Sequence, residues 1–260
     1  MKIPFRLLLA AALLAAGGSP LAAQHLHTND RWEDCAFVID PSLTQEAWRQ
    51  FVSEVGLVAY FRPLASARPL GARRIELALL SSATRIDDAD AAWNDTFSHP
   101  DSTHWLFEGD ALMVPGLMLR VGATDRMDVG AYFTKNPKSN YGIAGAQVQY
   151  ALLNDTTRGV AAAGRVSYAR LFGPDDLTAS VYGLDLVVSK DISVFAPYVG
   201  VSGYLSRGHE RTAKVDLEDE NVLGVQVTTG VAVHVSVLRL GAEVNLARVP
   251  GYAFKVAFGT

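Results

Sequence analysis

From Arg73 to its end the chain alternates apolar with polar or small residues in runs of about ten to fifteen residues, and few folds accept that period over such a length. In 116–124, Leu117, Leu119, Val121 and Ala123 share one face, and Gly116, Met118, Arg120, Gly122 and Thr124 share the other. In 127–135, Val129, Ala131 and Phe133 oppose Asp128, Gly130, Tyr132 and Thr134. The pattern recurs in 141–153, with Val148, Tyr150 and Leu152 against Gln147 and Gln149. In 177–190, Tyr182, Leu184, Leu186 and Val188 stand against Gly183, Asp185 and Ser189. In 223–235, Val225, Val227, Val231 and Val233 point outward, with Gln226, Thr228 and His234 inward.

Ten such strands are predicted, at 73–86, 112–123, 127–135, 141–153, 158–171, 176–190, 192–206, 222–235, 237–248 and 251–259. Strands of soluble sandwiches average about five or six residues, so strands twice that long favour a membrane-spanning wall. The predicted fold is all-β: a transmembrane antiparallel up-and-down β-barrel of about ten strands. Twelve is the alternative, if 57–64 is a strand with a further partner within 88–111.

The connections alternate as such a barrel requires, with short periplasmic turns and longer outer loops. Loops 88–110 and 207–221 are long and 136–140 is medium, whereas Asp125-Arg126, Asp191 and Ser236 are tight turns. Turn 154–157 and loop 173–175 are similar in length. Ten strands then place both ends of the barrel on the periplasmic side.

Residues 1–23 read as a secretory signal, with Lys2 and Arg6 before an apolar stretch at 7–16 and Ala22-Ala23 at the cleavage point, so the mature chain is expected to start at Gln24. That stretch is too short to span a bilayer, which needs about 20 residues. Cys35, the only cysteine, lies too far on for lipoprotein anchoring and leaves no intramolecular disulfide. The chain is 49% hydrophobic with a mean hydropathy of +0.14, and that apolar content fits a lipid-facing wall. A net charge of −4 argues against nucleic acid as a partner.

Residues 24–72 are read as a periplasmic or plug segment with an amphipathic helix at 42–55, capped by Ser42 or Thr44 and bearing Trp48, Phe51, Val52 and Val55 on one side. A helix capping the periplasmic end is the plainer expectation, and a plug within the lumen the other.

The last strand sets Tyr252, Phe254, Val256 and Phe258 outward up to the C-terminus and is similar to the signal that barrel-assembly machinery recognises, apart from the trailing Gly259 and Thr260. Residues 73–260 resemble outer-membrane β-barrel proteins, and more narrowly an uncharacterised group of them. The likeness is carried by Pro115-Gly116-Leu117, by 122–132 (GATDRMDVGAY), by 182–186 (YGLDL) with Ser189-Lys190, and by 197–200 (PYVG). It implies a place in the outer membrane of a Gram-negative cell, with lipid and the assembly machinery as partners, and brings no activity.

Alternation makes Arg120, Asp128, Gln147, Gln149, Arg165, Asp185, Tyr198, Gln226, Arg239, Glu243 and Lys255 candidates to line the lumen. Pairing strands through their turns sets Arg120 diagonal to Asp128, Arg165 diagonal to Asp185, and Glu243 near Lys255. Charges cost several kcal/mol in lipid, so their confinement to one face implies a polar, internally paired interior. Inward glycines (Gly122, Gly130, Gly183, Gly200, Gly224, Gly230, Gly241) leave room for a permeant, for curvature or for packed chain.

Two functions fit this interior: porin-like passage of small solutes, or a structural or surface-interaction barrel with a closed lumen, loops 87–111 and 207–221 being its contact surface. Enzymatic chemistry is not expected. His234, the only strand histidine, lies opposite Arg239 at the periplasmic end, and His209 falls in a mixed-charge loop, RGHERTAKVDLEDE. The acidic loop 87–110 lacks the glycine and terminal glutamate of an EF-hand, so neither metal nor cofactor is expected. Its Trp93, Phe97, Trp105 and Phe107 suit a loop folded over itself or lying at the membrane interface.

Overall fold

The computed structural model describes residues 35–87, 89–98, 107–108 and 111–260. The signal segment, and Asp88, His99, Asp101, His104, Trp105 and Asp110 of the acidic loop, lie outside the described residues. In chain order the elements are β1 (Ala36–Phe37), α1 (Gln45–Ala59), β2 (Ile75–Arg85), α2 (Ala91–Asn94), β3 (Phe97–Ser98), β4 (Phe107–Glu108), β5 (Ala111–Gly122), β6 (Met127–Lys135) and β7 (Gly142–Asp155). They continue with β8 (Val160–Phe172), β9 (Leu177–Lys190), β10 (Phe195–Glu210), β11 (Glu220–Val235), β12 (Leu238–Leu246) and β13 (Gly251–Gly259).

Strand β2 and strands β5 to β13 form one antiparallel wall in sequence order, which closes because β2 pairs with both β13 and β5. The barrel therefore has ten strands. Closure gives every strand of the wall a neighbour on each side, so no whole edge strand is left to be desolvated in lipid. The alternation sorts side chains as the period of two requires: Leu223, Val225, Leu79 and Phe254 are 81%, 73%, 66% and 65% exposed on the outer face, while charged residues on the inner face are buried.

The ten-strand expectation holds, and one alternative and two expectations are corrected. Residues 57–64 are not a strand: α1, capped by the Thr44 side chain, which accepts from the Ala47 backbone NH, runs on to Ala59, and the chain then continues irregularly. With its apolar period maintained past Val55, and with protein on every side, nothing ends the helix at 55. Loop 207–221 is shorter, because Arg207 pairs with Asn221 and Gly208 with Glu220, so the β10–β11 hairpin outlasts its apolar band and carries His209 in strand.

The third correction is the place of the helix. Instead of capping the end with the tight turns, α1 lies inside the wall at the opposite, long-loop end. Ser206 Oγ donates to the Val52 carbonyl at 2.6 Å, Gln45 Nε2 to Glu220 Oε1 at 2.7 Å, and Arg248 Nε to Glu54 Oε1 at 3.1 Å. Ahead of it, Phe37 exchanges two hydrogen bonds with the Asn140 side chain, at 2.9 and 2.7 Å.

An apolar core forms within the mouth of the barrel. Phe37, Phe51, Trp93 and Tyr141 meet with ring centroids 4.8 to 6.4 Å apart, and Trp48 stacks on Phe51 at 5.6 Å. Such pairs add about 0.5–1.5 kcal/mol each beyond area burial. Trp93 Nε1 donates to Glu54 Oε2 at 2.6 Å, which satisfies the carboxylate that α1 brings into this core.

Candidate functional site: the occupied lumen

Beyond Tyr60 the chain crosses the barrel from the long-loop end to the short-turn end without secondary structure, and its backbone groups need partners that neither helix nor sheet supplies. Irregular backbone at membrane depth survives only where protein satisfies it. The inward residues of the wall do so. Lys255 Nζ donates to the Pro63 carbonyl at 2.9 Å, and Arg165 donates to the Ala65 and Ser66 carbonyls at 2.7 and 3.0 Å. Ser189 Oγ accepts from Ala67 NH at 3.1 Å and Asp128 from Leu70 NH at 3.0 Å, and below them Asp125 of the exposed β5–β6 turn accepts from Ala72 NH at 3.2 Å. One step on, Arg73 NH donates to the Gly122 carbonyl at 2.8 Å and β2 begins.

The charges assemble in two groups. Nearer the short-turn end, Glu76 accepts from Lys255 at 2.8 Å, Arg239 at 3.1 Å and Arg120 at 3.4 Å, and Arg120 reaches Asp128 at 3.0 Å. Side chains of Glu76, Lys255 and Arg120 are 1%, 2% and 4% exposed, and Arg239 closes the group on its rim side at 14%. Higher up, Asp185 accepts from Tyr60 Oη at 2.8 Å and Ser202 Oγ at 2.5 Å, Glu243 from Tyr198 Oη at 2.8 Å and Asn245 Nδ2 at 3.0 Å, and Gln149 Oε1 from Arg165 Nε at 2.7 Å.

Arg120 and Asp128 therefore pair as the strand diagonal requires. Arg165 stands directly opposite Asp185 in register, yet its guanidinium turns to Gln149 and the plug carbonyls. Glu243 and Lys255 do not pair: Lys255 is drawn to Glu76 across the β2–β13 seam, and Glu243 is held by Tyr198 and Asn245. Gln147 and Gln226 are buried at 5% and 2% exposure, and Arg239 is half-buried near the rim.

Glu76 is the residue that sequence reasoning missed. The run IELALLSS alternates enough to set it inward, against Ile75, Leu77 and Leu79. Arg62, whose Nη2 donates to the Leu57 carbonyl at 2.6 Å, was hidden because it sits on a segment without period. Arg62 Nε, Asp185 Oδ2 and Gln226 Oε1 have no protein partner, and the three residues line one small cavity between plug and wall.

Inward glycines mark where plug meets wall. A Cβ on Gly122 would stand 1.8 Å from the Gly71 carbonyl oxygen, and one on Gly241 2.7 Å from that of Leu64. Both obstacles are backbone, so Gly122→Ala is expected to push residues 70–72 off the wall at a cost of about 1–3 kcal/mol. Faster tryptic cleavage at Arg73 and Arg74 than in the unmodified chain checks this; unchanged cleavage contradicts it.

Toward the short-turn end a recess of about 240 Å³ remains, lined by Leu64, Arg68, Glu76, His234 and Arg239 among others. His234 faces Arg239 in register there. At the other end His209 Nδ1 lies 2.5 Å from Asp219 Oδ1, both well exposed. Among the described residues, no three His, Cys, Asp or Glu side chains are grouped to hold a metal ion.

No family model and no curated protein matches the chain. Among solved structures it is similar to an outer membrane channel of Pseudomonas putida F1, at 10% identity over 77% of this chain and 100% of that one, with a TM-score of 0.45. It is also similar to LpxR from Salmonella typhimurium, at 11% identity over 70% and 99% with a TM-score of 0.38, and to OprG from Pseudomonas aeruginosa, at 9% over 75% and 99% with a TM-score of 0.33. The fold rests on the chain's own geometry: a closed ten-strand antiparallel wall, apolar toward the outside and charged within, is that of an outer-membrane β-barrel protein.

Proposed function

We propose that this protein is a sealed outer-membrane barrel that acts through its outer mouth and its wall, and not by passing solutes along its axis. One observation carries the reading: residues 60–72 cross the lumen hydrogen-bonded to inward side chains of β6, β8, β9 and β13. Porin-like passage of small solutes would require that segment to give up those bonds. No catalytic step is part of this reading.

Long loops in barrels of this class lie outside and tight turns in the periplasm, so α1 and the 211–219 loop belong at the cell surface and both ends of the wall's chain in the periplasm. Residues 1–23 act as the export signal in this reading.

Two measurements test it. Liposomes bearing the protein are expected to swell in small sugars no faster than empty ones; swelling at porin rates would overturn the sealed reading. In intact cells, a membrane-impermeant maleimide is expected to label a cysteine at Asp216 (Asp216→Cys) and to spare one at Asp125 (Asp125→Cys). The reverse would invert the orientation.

A further inference from the structure

Among the described residues the wall leaves strand edges without a ladder partner beyond the end of β12, at 220–226 of β11, and along one stretch of β5. Strand β5 pairs with β2 along its whole length, from Ile75↔Val121 to Arg85↔Ala111. Its other edge pairs with β6 only from Leu117↔Phe133 to Gly122↔Asp128, and with β4 only at Ala111 and Leu112. Strand β6 meanwhile stays paired with β7 as far as Lys135↔Gly142. Residues 113–116 of β5 thus have no ladder partner on that side among the described residues. Within this stretch Pro115 has no N–H to offer a ladder, and the ring of Tyr132 lies so close over Gly116 that a Cβ there would stand 2.3 Å from it.

A cavity of about 660 Å³ fills the gap. Leu117, Phe133 and Phe254, on the outer face, line one side of it, and the buried Leu80, Val114 and Tyr141, from the core of the mouth, line the other. The cavity therefore runs from the lipid-facing band into the apolar interior above the charged cluster. Its size is that of a ligand site, about 300–1,000 Å³. Its cations are already engaged: Lys135 Nζ donates to the Ser139 and Tyr141 carbonyls at 2.7 and 3.2 Å, and Lys255 is held by Glu76 and Pro63.

We propose that the gap between β5 and β6 is a lateral binding site for the acyl chain of a bilayer lipid, entered from the membrane and not from the lumen. The opening sits in the apolar band, where hydrocarbon is the medium outside, and its lining offers contact to methylenes with no free charge. A chain seated there packs against Tyr141 and Val114, the same core that holds α1.

The test uses the full chain in nanodiscs doped with a phosphatidylethanolamine that carries a diazirine in one acyl chain, followed by photolysis and peptide mapping. Adducts are expected at 113–117 and 133–137 at about tenfold the density on the equally lipid-facing Leu186 and Val199, a ratio that corresponds to about 1.4 kcal/mol. Met113→Trp, which fills the opening, is expected to remove most of that excess, and Val201→Trp on the far wall to leave it intact. Adducts spread evenly over the band, or an excess indifferent to Met113→Trp, would overturn the site. If Met113→Trp does not fold, dilution with unlabelled lipid decides: labelling at 113–117 that saturates supports the site, and labelling merely proportional to probe overturns it. Capture of free diazirine palmitate without capture of the lipid-borne chain would overturn the bilayer as the source.

Discussion

Glu76→Ala is expected to destabilise the folded barrel by about 3–5 kcal/mol, the cost of leaving buried cations without their counter-ion. One carboxylate serves Lys255, Arg239 and Arg120, and only Arg120 has a second acid, Asp128, within reach. The wall would retain an uncompensated ammonium 2% exposed, tied only to the Pro63 carbonyl. The checking measurement is the denaturant midpoint of the protein in micelles, read by loss of the compact band on unheated gels. A Glu76→Ala, Lys255→Met double variant is expected to recover much of the loss, because an apolar pair removes the unpaired charge together with its partner. Arg49→Ala, which breaks an ion pair whose arginine is 63% exposed, is expected to stay within about 0.5 kcal/mol of the parent. Equal losses at Glu76 and Arg49 would mean that the cluster is not the electrostatic centre of the fold.

Deleting residues 35–70 is expected to turn a non-conducting barrel into a conducting one, with conductance at least about tenfold above the full chain, since about eight strands are just filled by side chains and ten leave more room. Selectivity is expected to be weak. The inward charges of the wall are Glu76, Asp128, Asp185 and Glu243 against Arg120, Arg165, Lys255 and, nearer the rim, Arg239, four of each sign. Reversal potentials in a salt gradient measure this, and a strong preference for one sign of ion would contradict it. A deleted variant that folds and stays silent would show that wall side chains alone close the lumen.

The wall was legible in the sequence because its physics is local: a period of two and a medium that rejects charge fix which face each residue takes, as from Tyr182 to Val188. Turn chemistry carried register as well, setting Gly122 opposite Asp128 and thus Arg120 beside it. What could not be read is what fills the barrel. Residues 60–72 have no period, since most of their backbone partners lie 53 to 192 positions away, and a contact such as Lys255 with Pro63 leaves no mark in either neighbourhood. For the same reason the amphipathic face of α1 was visible and its location was not: Trp48, Phe51 and Val52 announce burial without saying against what. Inward glycines were visible too, but only the folded chain shows that Gly122 and Gly241 receive plug backbone. Closure was the other hidden choice. Glu76 and Lys255 stand at opposite ends of the wall's sequence, and the seam that joins β2 to β13 brings them to 2.8 Å.

The central claim, that the barrel is closed along its axis by its own N-terminal segment, is tested most directly by single-channel recording of the full chain in planar bilayers. A current no different from that of the bare bilayer is expected. Long-lived unit steps in the full chain, unaltered when residues 35–70 are deleted, would contradict it.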